Sequence, residues 1–200
     1  MRVEMRADNT AVISGYVNVT GRESRVLSDI SGDFIEEVTP GAFGQALERA
    51  KRIELRFNHG KLLGSTVDNL KLHEDNIGLY AEAVVNDKHV IAEARANKLT
   101  GWSFGFFVNK LHWETRQSDQ MRKRVLEDID LTEVSILSVT PAYIATSVEL
   151  RADGNHIKES RGCEQNVEFR DYKKPEPQKP QTISELEYLK LKHEFLKGGN

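Results

Sequence analysis

Residues that alternate between apolar and polar side chains recur along most of the first 150 positions. Ile53, Leu55 and Phe57 are each followed by a polar neighbour, and apolar side chains occupy every second position of residues 77–85. A spacing of two is typical of strands that bury one face. Because only two or three helical stretches interrupt these strands, the sequence predicts an α+β protein built on a mostly antiparallel, closed β-barrel.

The two clearest helices are predicted at residues 42–51 and 87–98. The first has an apolar stripe that includes Phe43, Ala46 and Leu47, and the second begins at Asp87, a residue suited to cap a helix N-terminus. The strands are predicted at residues 3–6, 11–19, 53–58, 62–73, 77–85, 104–113, 122–127, 129–139 and 144–150, with a short strand before Pro40.

The character of the chain changes after Leu150. Three of its five prolines lie at Pro175, Pro177 and Pro180, in a segment with few apolar residues. We therefore divide the chain into a domain at residues 1–150, a polar linker at 151–182 and a short helical tail at 183–200. A helix of that length is marginal alone, so the tail is expected to need a partner surface.

Composition argues against several classes of protein. A net charge of -3, without a basic block, gives no reason to expect nucleic acid as a partner. The single cysteine, Cys163, cannot form an internal disulfide, and no signal peptide or membrane-spanning run is apparent, so we expect a soluble intracellular protein. Metal-ligand spacings and phosphate or dinucleotide motifs are absent from the sequence, so neither metal nor cofactor is expected.

Ser103 lies between two glycines in the stretch GWSFGF at residues 101–106. Glycines permit a tight turn that can leave a hydroxyl clear of its neighbours, as a nucleophile requires. The similar elbow of α/β-hydrolases has a strand before the serine and a helix after it, whereas here the order is reversed. The pattern therefore predicts a turn before the strand at 104–113, and a structural turn and a nucleophile both remain open.

Of the six histidines, His59 is the best candidate for a general base. It follows a strand with one buried face and precedes Gly60, although Asn58, His59 and Gly60 could simply form a turn. A histidine base usually needs a third group that holds its tautomer. Glu133, in the middle of a predicted strand, is the candidate, since a buried carboxylate needs a partner. The other histidines lie in the tail (His156, His193), in a helix (His89) or among charged residues (His73, His112). Asp128 and Asp130 are alternatives to Glu133, which could also be an ordinary surface residue.

Four motifs in order resemble the prohead protease family of tailed bacteriophages. They are FIEEVTPGAF at residues 34–43, FNH at 57–59, GWSFGF at 101–106, and LTEVS at 131–135 running to PAY at 141–143. Together they span most of residues 3–150. The order of the candidate residues, with histidine first, then serine, then the third member, also matches that family.

The resemblance implies a fold similar to that of herpesvirus maturational proteases, a β-barrel with surrounding helices. It places the nucleophile at Ser103, the general base at His59 and the third member at Glu133, where herpesvirus enzymes have a second histidine. Their oxyanion arginines have no counterpart in residues 141–148, so the oxyanion donors stay open, with backbone N–H groups beside Ser103 as candidates.

The family further implies a serine endopeptidase that acts inside the assembling prohead, in the host cytoplasm. Its substrates would be the scaffolding protein, the N-terminal extension of the major capsid protein and its own chain, with the portal as a further candidate partner and a homo-oligomer as a compatible state. The linker and tail would carry the protease into the shell. Two rivals remain: a non-catalytic assembly module with a protease-like barrel, and a hydrolase of small esters, which would need a closed apolar pocket.

Overall fold

Strands dominate the fold, as the alternating pattern predicts. The computed structural model describes residues 1–29, 31–138, 149–150, 157–164 and 168–171. The strands are β1 (Arg2–Met5), β2 (Ala11–Val19), β3 (Leu27–Asp29), β4 (Gly32–Val38), β5 (Glu54–Phe57), β6 (Lys61–Ser65), β7 (Leu70–Glu74), β8 (Gly78–Val85), β9 (Gly101–Thr115), β10 (Arg122–Leu137), β11 (Glu149–Leu150), β12 (Ile157–Glu164) and β13 (Glu168–Arg170). The helices are α1 (Ala42–Arg49) and α2 (Lys88–Arg95).

The strands form two sheets in an α+β fold. One has the order β13-β1-β2-β8-β7, and the other has the order β11-β12-β9-β10-β4-β3, with β5 paired to β10 and β6 paired to β5. The closed barrel expected from the sequence is not formed by the described residues, since both sheets keep edge strands. Instead the two sheets pack against each other around one shared hydrophobic core.

Aromatic side chains of β9 hold that core together. Trp102, Phe104 and Phe106 alternate along the strand and are almost fully buried, and each such side chain contributes about 1.5–3 kcal/mol when it leaves water. Phe43 of α1 packs edge-to-face on Phe104, with ring centroids 5.2 Å apart. Since Ser103 lies between two of these anchors, its position in the sheet is firmly set.

Several predicted boundaries were wrong for identifiable reasons. The strand predicted at 62–73 is interrupted between β6 and β7, where Asn69 accepts a hydrogen bond from the backbone N–H of Ser65 and closes a turn. The strands predicted at 122–127 and 129–139 are one strand, β10, which continues through register shifts around Asp128. Side-chain alternation breaks at such bulges although the strand does not.

The region after Leu137 is described only in part. Two strands, β12 and β13, lie within the segment predicted to be a linker, and β13 runs parallel to β1. The predicted break at 141–143, most of the strand predicted at 144–150 and the helical tail at 183–200 lie outside the described residues. In the part of the chain that the structure describes, no helix is both long and apolar enough to cross a membrane.

Candidate active site

Ser103 lies inside a strand, not in the turn that its flanking glycines predict. It is the third residue of β9, where its Cα is paired with Ser135 of β10 on one side and with Gly162 of β12 on the other. The residue is 1% exposed, and its hydroxyl donates a hydrogen bond of 2.7 Å to the carbonyl oxygen of Arg161. Among the described residues, no hydrogen bond joins Ser103 to His59.

His59 occupies a tight loop that is fastened to β10. Both Asn58 and His59 have left-handed backbone angles, with φ of 48° and 58°, which is uncommon for residues other than glycine. Backbone hydrogen bonds from Asn58 N–H to the Ile136 carbonyl (2.9 Å) and from His59 N–H to the Ser135 hydroxyl (2.8 Å) hold the loop down. The Asn58 side-chain carbonyl also accepts from the Ser138 N–H at 2.9 Å. The rest of the fold therefore keeps the histidine in a conformation that the loop alone would rarely adopt.

The structure brings His59 and Glu133 into direct contact. The two side chains meet through Nδ1 and Oε1 at 2.7 Å. Glu133 is 2% exposed, so it is not a surface glutamate, whereas about a third of the His59 side chain remains accessible. A buried carboxylate in this place holds the imidazole in a fixed orientation, as the third member beside a histidine base does.

A β-bulge explains how Glu133 reaches the histidine while Leu131 stays in the core. The sequence pattern places both residues on one face of a regular strand. The register shift between Leu131 and Glu133 turns Leu131 towards the core with Val134, and leaves Glu133 and Ser135 on the opposite face. That face also contains Ser103, because Ser103 and Ser135 are paired.

Two residues that the sequence analysis missed support the pair. Ser135 is fully buried and contacts the His59 backbone. Arg56 places its Nε 3.4 Å from Glu133, donates to Glu54 at 2.8 Å and donates to the Gly60 carbonyl at 2.8 Å. The alternation in β5 indicates that Arg56 and Glu54 share a face, but only the pairing of β5 with β10 puts that face beside Glu133.

The other acidic and histidine candidates lie elsewhere. Asp128 and Asp130 both contact Arg49 of α1. His89 lies in the first turn of α2 against Phe57, and His112 is held by Glu127 and Glu114 on the exposed part of β9. His156 and His193 are outside the described residues.

An open cavity of about 580 Å³ borders Glu133. Besides Glu133, its lining includes four charged residues, Arg49, Arg52, Glu54 and Asp130. A site for small esters would be closed and mainly apolar. This cavity is open and bordered by charged side chains, so it is not a closed apolar pocket.

Behind Ser103, on the core side of the sheet, four charged residues form a buried network. Arg124 Nε donates to Glu36 at 2.7 Å and Arg124 Nη1 to Glu159 at 3.0 Å, while Arg161 Nε donates to Glu36 at 2.7 Å. Desolvation opposes both charges, but the contacts prevail: they lower the pKa of Glu159 and raise the pKa of Arg124. The network connects β4 and β10 to β12.

Comparison with known families gives a match over the region that contains these residues. Residues 1–160 match the family model described as the caudovirus prohead serine protease. Neither a curated protein nor a solved structure matches the chain. The matched region contains Ser103, His59 and Glu133, and it covers most of the 200 residues. The chain therefore belongs to the caudovirus prohead serine proteases, enzymes of phage capsid maturation.

Proposed function

We propose that the protein is an endopeptidase in which Ser103 is the nucleophile, His59 the general base and Glu133 the third member of the triad. The contact of 2.7 Å between His59 and the buried Glu133 supports this assignment most directly. Ser103 is tied to the pair through Ser135, its partner across the sheet, which also accepts the His59 backbone N–H.

The reaction is acyl transfer to water. His59 takes the hydroxyl proton of Ser103 as the oxygen attacks a peptide carbonyl, and Glu133 stabilises the imidazolium that forms. The imidazolium then protonates the leaving amine, and a water molecule activated by His59 hydrolyses the acyl-enzyme. For this cycle the Ser103 hydroxyl must release the Arg161 carbonyl, to which it donates in this structure.

The substrates are proposed to be the scaffolding protein, the N-terminal extension of the major capsid protein and the chain itself, inside the assembling prohead. Membership in the prohead protease family supports capsid proteins as the substrate class. The segment after residue 150 is proposed to carry the enzyme into the shell by binding scaffold or portal. A chain that ends near Leu150 and is packaged as well as the full chain would contradict that role.

The test is the intact mass, followed over time, of the chain and its co-expressed capsid and scaffold partners. Defined fragments are expected with the unaltered chain, and Ser103→Ala should reduce their formation by about 10⁶-fold. Ser135→Ala is the comparison variant, since it removes the same atom from the paired residue and leaves the Ser103 hydroxyl in place, and it should cost only about tenfold. Identical masses with the unaltered chain and Ser103→Ala, in shells that still assemble, would support the non-catalytic assembly module instead.

A further inference from the structure

β12 occupies the edge of β9 at which an extended peptide would have to bind. It pairs antiparallel with β9, with Arg161 opposite Phe104 and Gly162 opposite Ser103. The other edge of β9 is taken by β10. Strand addition to an open sheet edge is a common mode of peptide recognition. A substrate could therefore join β9 at Ser103 only in the place where β12 now lies.

The peptide group that β12 presents to Ser103 is the one between Arg161 and Gly162. Ser103 Oγ lies 2.7 Å from the Arg161 carbonyl oxygen, and the serine is 1% exposed. The carbonyl group is thus held beside the nucleophile, and attack on its carbon requires the hydroxyl to turn from the carbonyl oxygen towards His59. No other carbonyl among the described residues accepts the hydroxyl of Ser103.

Side chains of β12 fill two complementary charged positions. Arg161 donates to Glu36 of β4 at 2.7 and 3.0 Å, and Glu159 accepts from Arg124 of β10 at 3.0 Å. Glu36 and Arg124 also contact each other, so they remain paired if β12 leaves. The sheet thus places the acidic Glu36 against Arg161, the residue before the presented bond. It places the basic Arg124 against Glu159, two positions earlier. Strand addition recognises side chains at alternate positions in this way.

We infer that β12 is the enzyme's own first substrate, bound in cis, and that Ser103 cuts the chain between Arg161 and Gly162. The substrate class is then an extended peptide with a basic residue before the scissile bond and an acidic residue two positions before that. This inference rests on the proposed role of Ser103. Until the cut is made, β12 blocks the edge of β9 and keeps other substrates out.

The step is ordinary acyl transfer. The Ser103 oxygen forms a bond to the Arg161 carbonyl carbon and its proton passes to His59, the bond from that carbon to the Gly162 nitrogen breaks, and His59 protonates the nitrogen as it leaves. Water then adds to the acyl-enzyme, which restores the serine hydroxyl and leaves a carboxylate on Arg161.

The experiment follows the intact mass of the purified full chain and assigns the ends of every fragment. We expect one cut between Arg161 and Gly162, none in Ser103→Ala, and a rate about ten- to a hundredfold lower in Arg161→Gln, because a charge-assisted contact is lost. Arg170→Gln is the matched control, since Arg170 is exposed and pairs with Glu168 of its own strand. It should be cut at the unaltered rate.

Two synthetic peptides test the specificity without any effect on folding. The cut chain should cleave IKESRGCE, the sequence of residues 157–164, after its arginine, and should cleave the glutamine version about ten- to a hundredfold more slowly. Equal cleavage of both peptides would overturn the inferred specificity.

Labelling with a fluorophosphonate, which reacts with activated serines, distinguishes failure of the inferred cleavage site from failure of the proposed function. A labelled Ser103 in a chain that stays intact or is cut elsewhere overturns this inference and leaves the proposed nucleophile standing. No label and no cut in any chain overturns the proposed function, and this inference with it. A cut at Arg161 that persists in Ser103→Ala also overturns the inference.

Discussion

Two histidine–glutamate pairs each use a glutamate of β10, yet the surroundings of the two pairs differ. His59 contacts Glu133 at one end of β10, and His112 of β9 contacts Glu127 nearer the other end. The Glu133 side chain is 3% exposed, whereas that of Glu127 is 26% exposed. The first pair is joined through Ser135 to a buried serine, and the second is shared with Lys110 and Glu114.

Under the proposed assignment, this difference shows what a histidine base needs beyond contact with a carboxylate. Two carboxylates hold the two ring nitrogens of His112, Glu127 at Nδ1 and Glu114 at Nε2, and the side chain is exposed. At His59 the buried Glu133 carboxylate contacts the Nδ1 atom of the ring. Hydrogen bonds also hold the backbone of the His59 loop to β10, the strand that contains Glu133. Preorganisation of that kind allows a histidine to exchange a proton with a fixed neighbour.

Among the changes that test this comparison, the largest effect is expected when the carboxylate of the buried pair is replaced by an amide. Glu133→Gln should lower the rate of Ser103-dependent proteolysis by about 10⁴-fold, because an amide can hold the wrong imidazole tautomer. Glu127→Gln makes the same chemical change in the exposed pair and should leave the rate unchanged. The measurement is the turnover of a peptide taken from a mapped cleavage site. Equal rates for Glu133→Gln and the unaltered chain would remove Glu133 from the mechanism.

From the sequence, short motifs and the order of residues pointed to His59 and Glu133 as partners, because both are local information. The structure places the two side chains in contact. The fully buried state of Glu133 was not predictable, since it depends on the bulge after Leu131 and on the pairing of β5 with β10.

The parts that the sequence did not predict depend on contacts between distant segments of the chain. The glycines beside Ser103 predicted a turn, but core packing by Trp102 and Phe104 keeps this segment in β9. β12 lies in a stretch whose low apolar content predicts a linker. It is nevertheless a strand, because Glu159 and Arg161 have charged partners in β4 and β10. Alternation of apolar residues cannot reveal a strand whose buried side chains are charged.

A smaller effect is expected from the backbone support of His59. Ser135→Ala removes the acceptor of the His59 N–H and should lower kcat about tenfold with little change in KM, since one buried donor loses its partner. Ser135→Thr keeps a hydroxyl at this position and should restore most of the rate. A purely structural role would lower the midpoint of thermal unfolding without changing kcat of the folded enzyme, and that result would contradict positioning.

The smallest effect concerns the protonation of the exposed pair. Hydrogen bonds to Glu114 and then to Glu127 raise the pKa of His112 above its ordinary value of 6.5. The folded chain therefore favours the protonated ring, so the contribution of this pair to stability is fully present below pH 6.5 and is lost as the pH rises through the higher folded-state pKa. Titration of the His112 ring signals by NMR should give a midpoint above 6.5, and Glu114→Gln should lower it more than Glu127→Gln. A midpoint at or below 6.5 would contradict the prediction. A ring that holds its proton in this way is less available as a base near neutral pH. His112 is also far from Ser103 along β9. For both reasons we do not expect His112 to act as the general base.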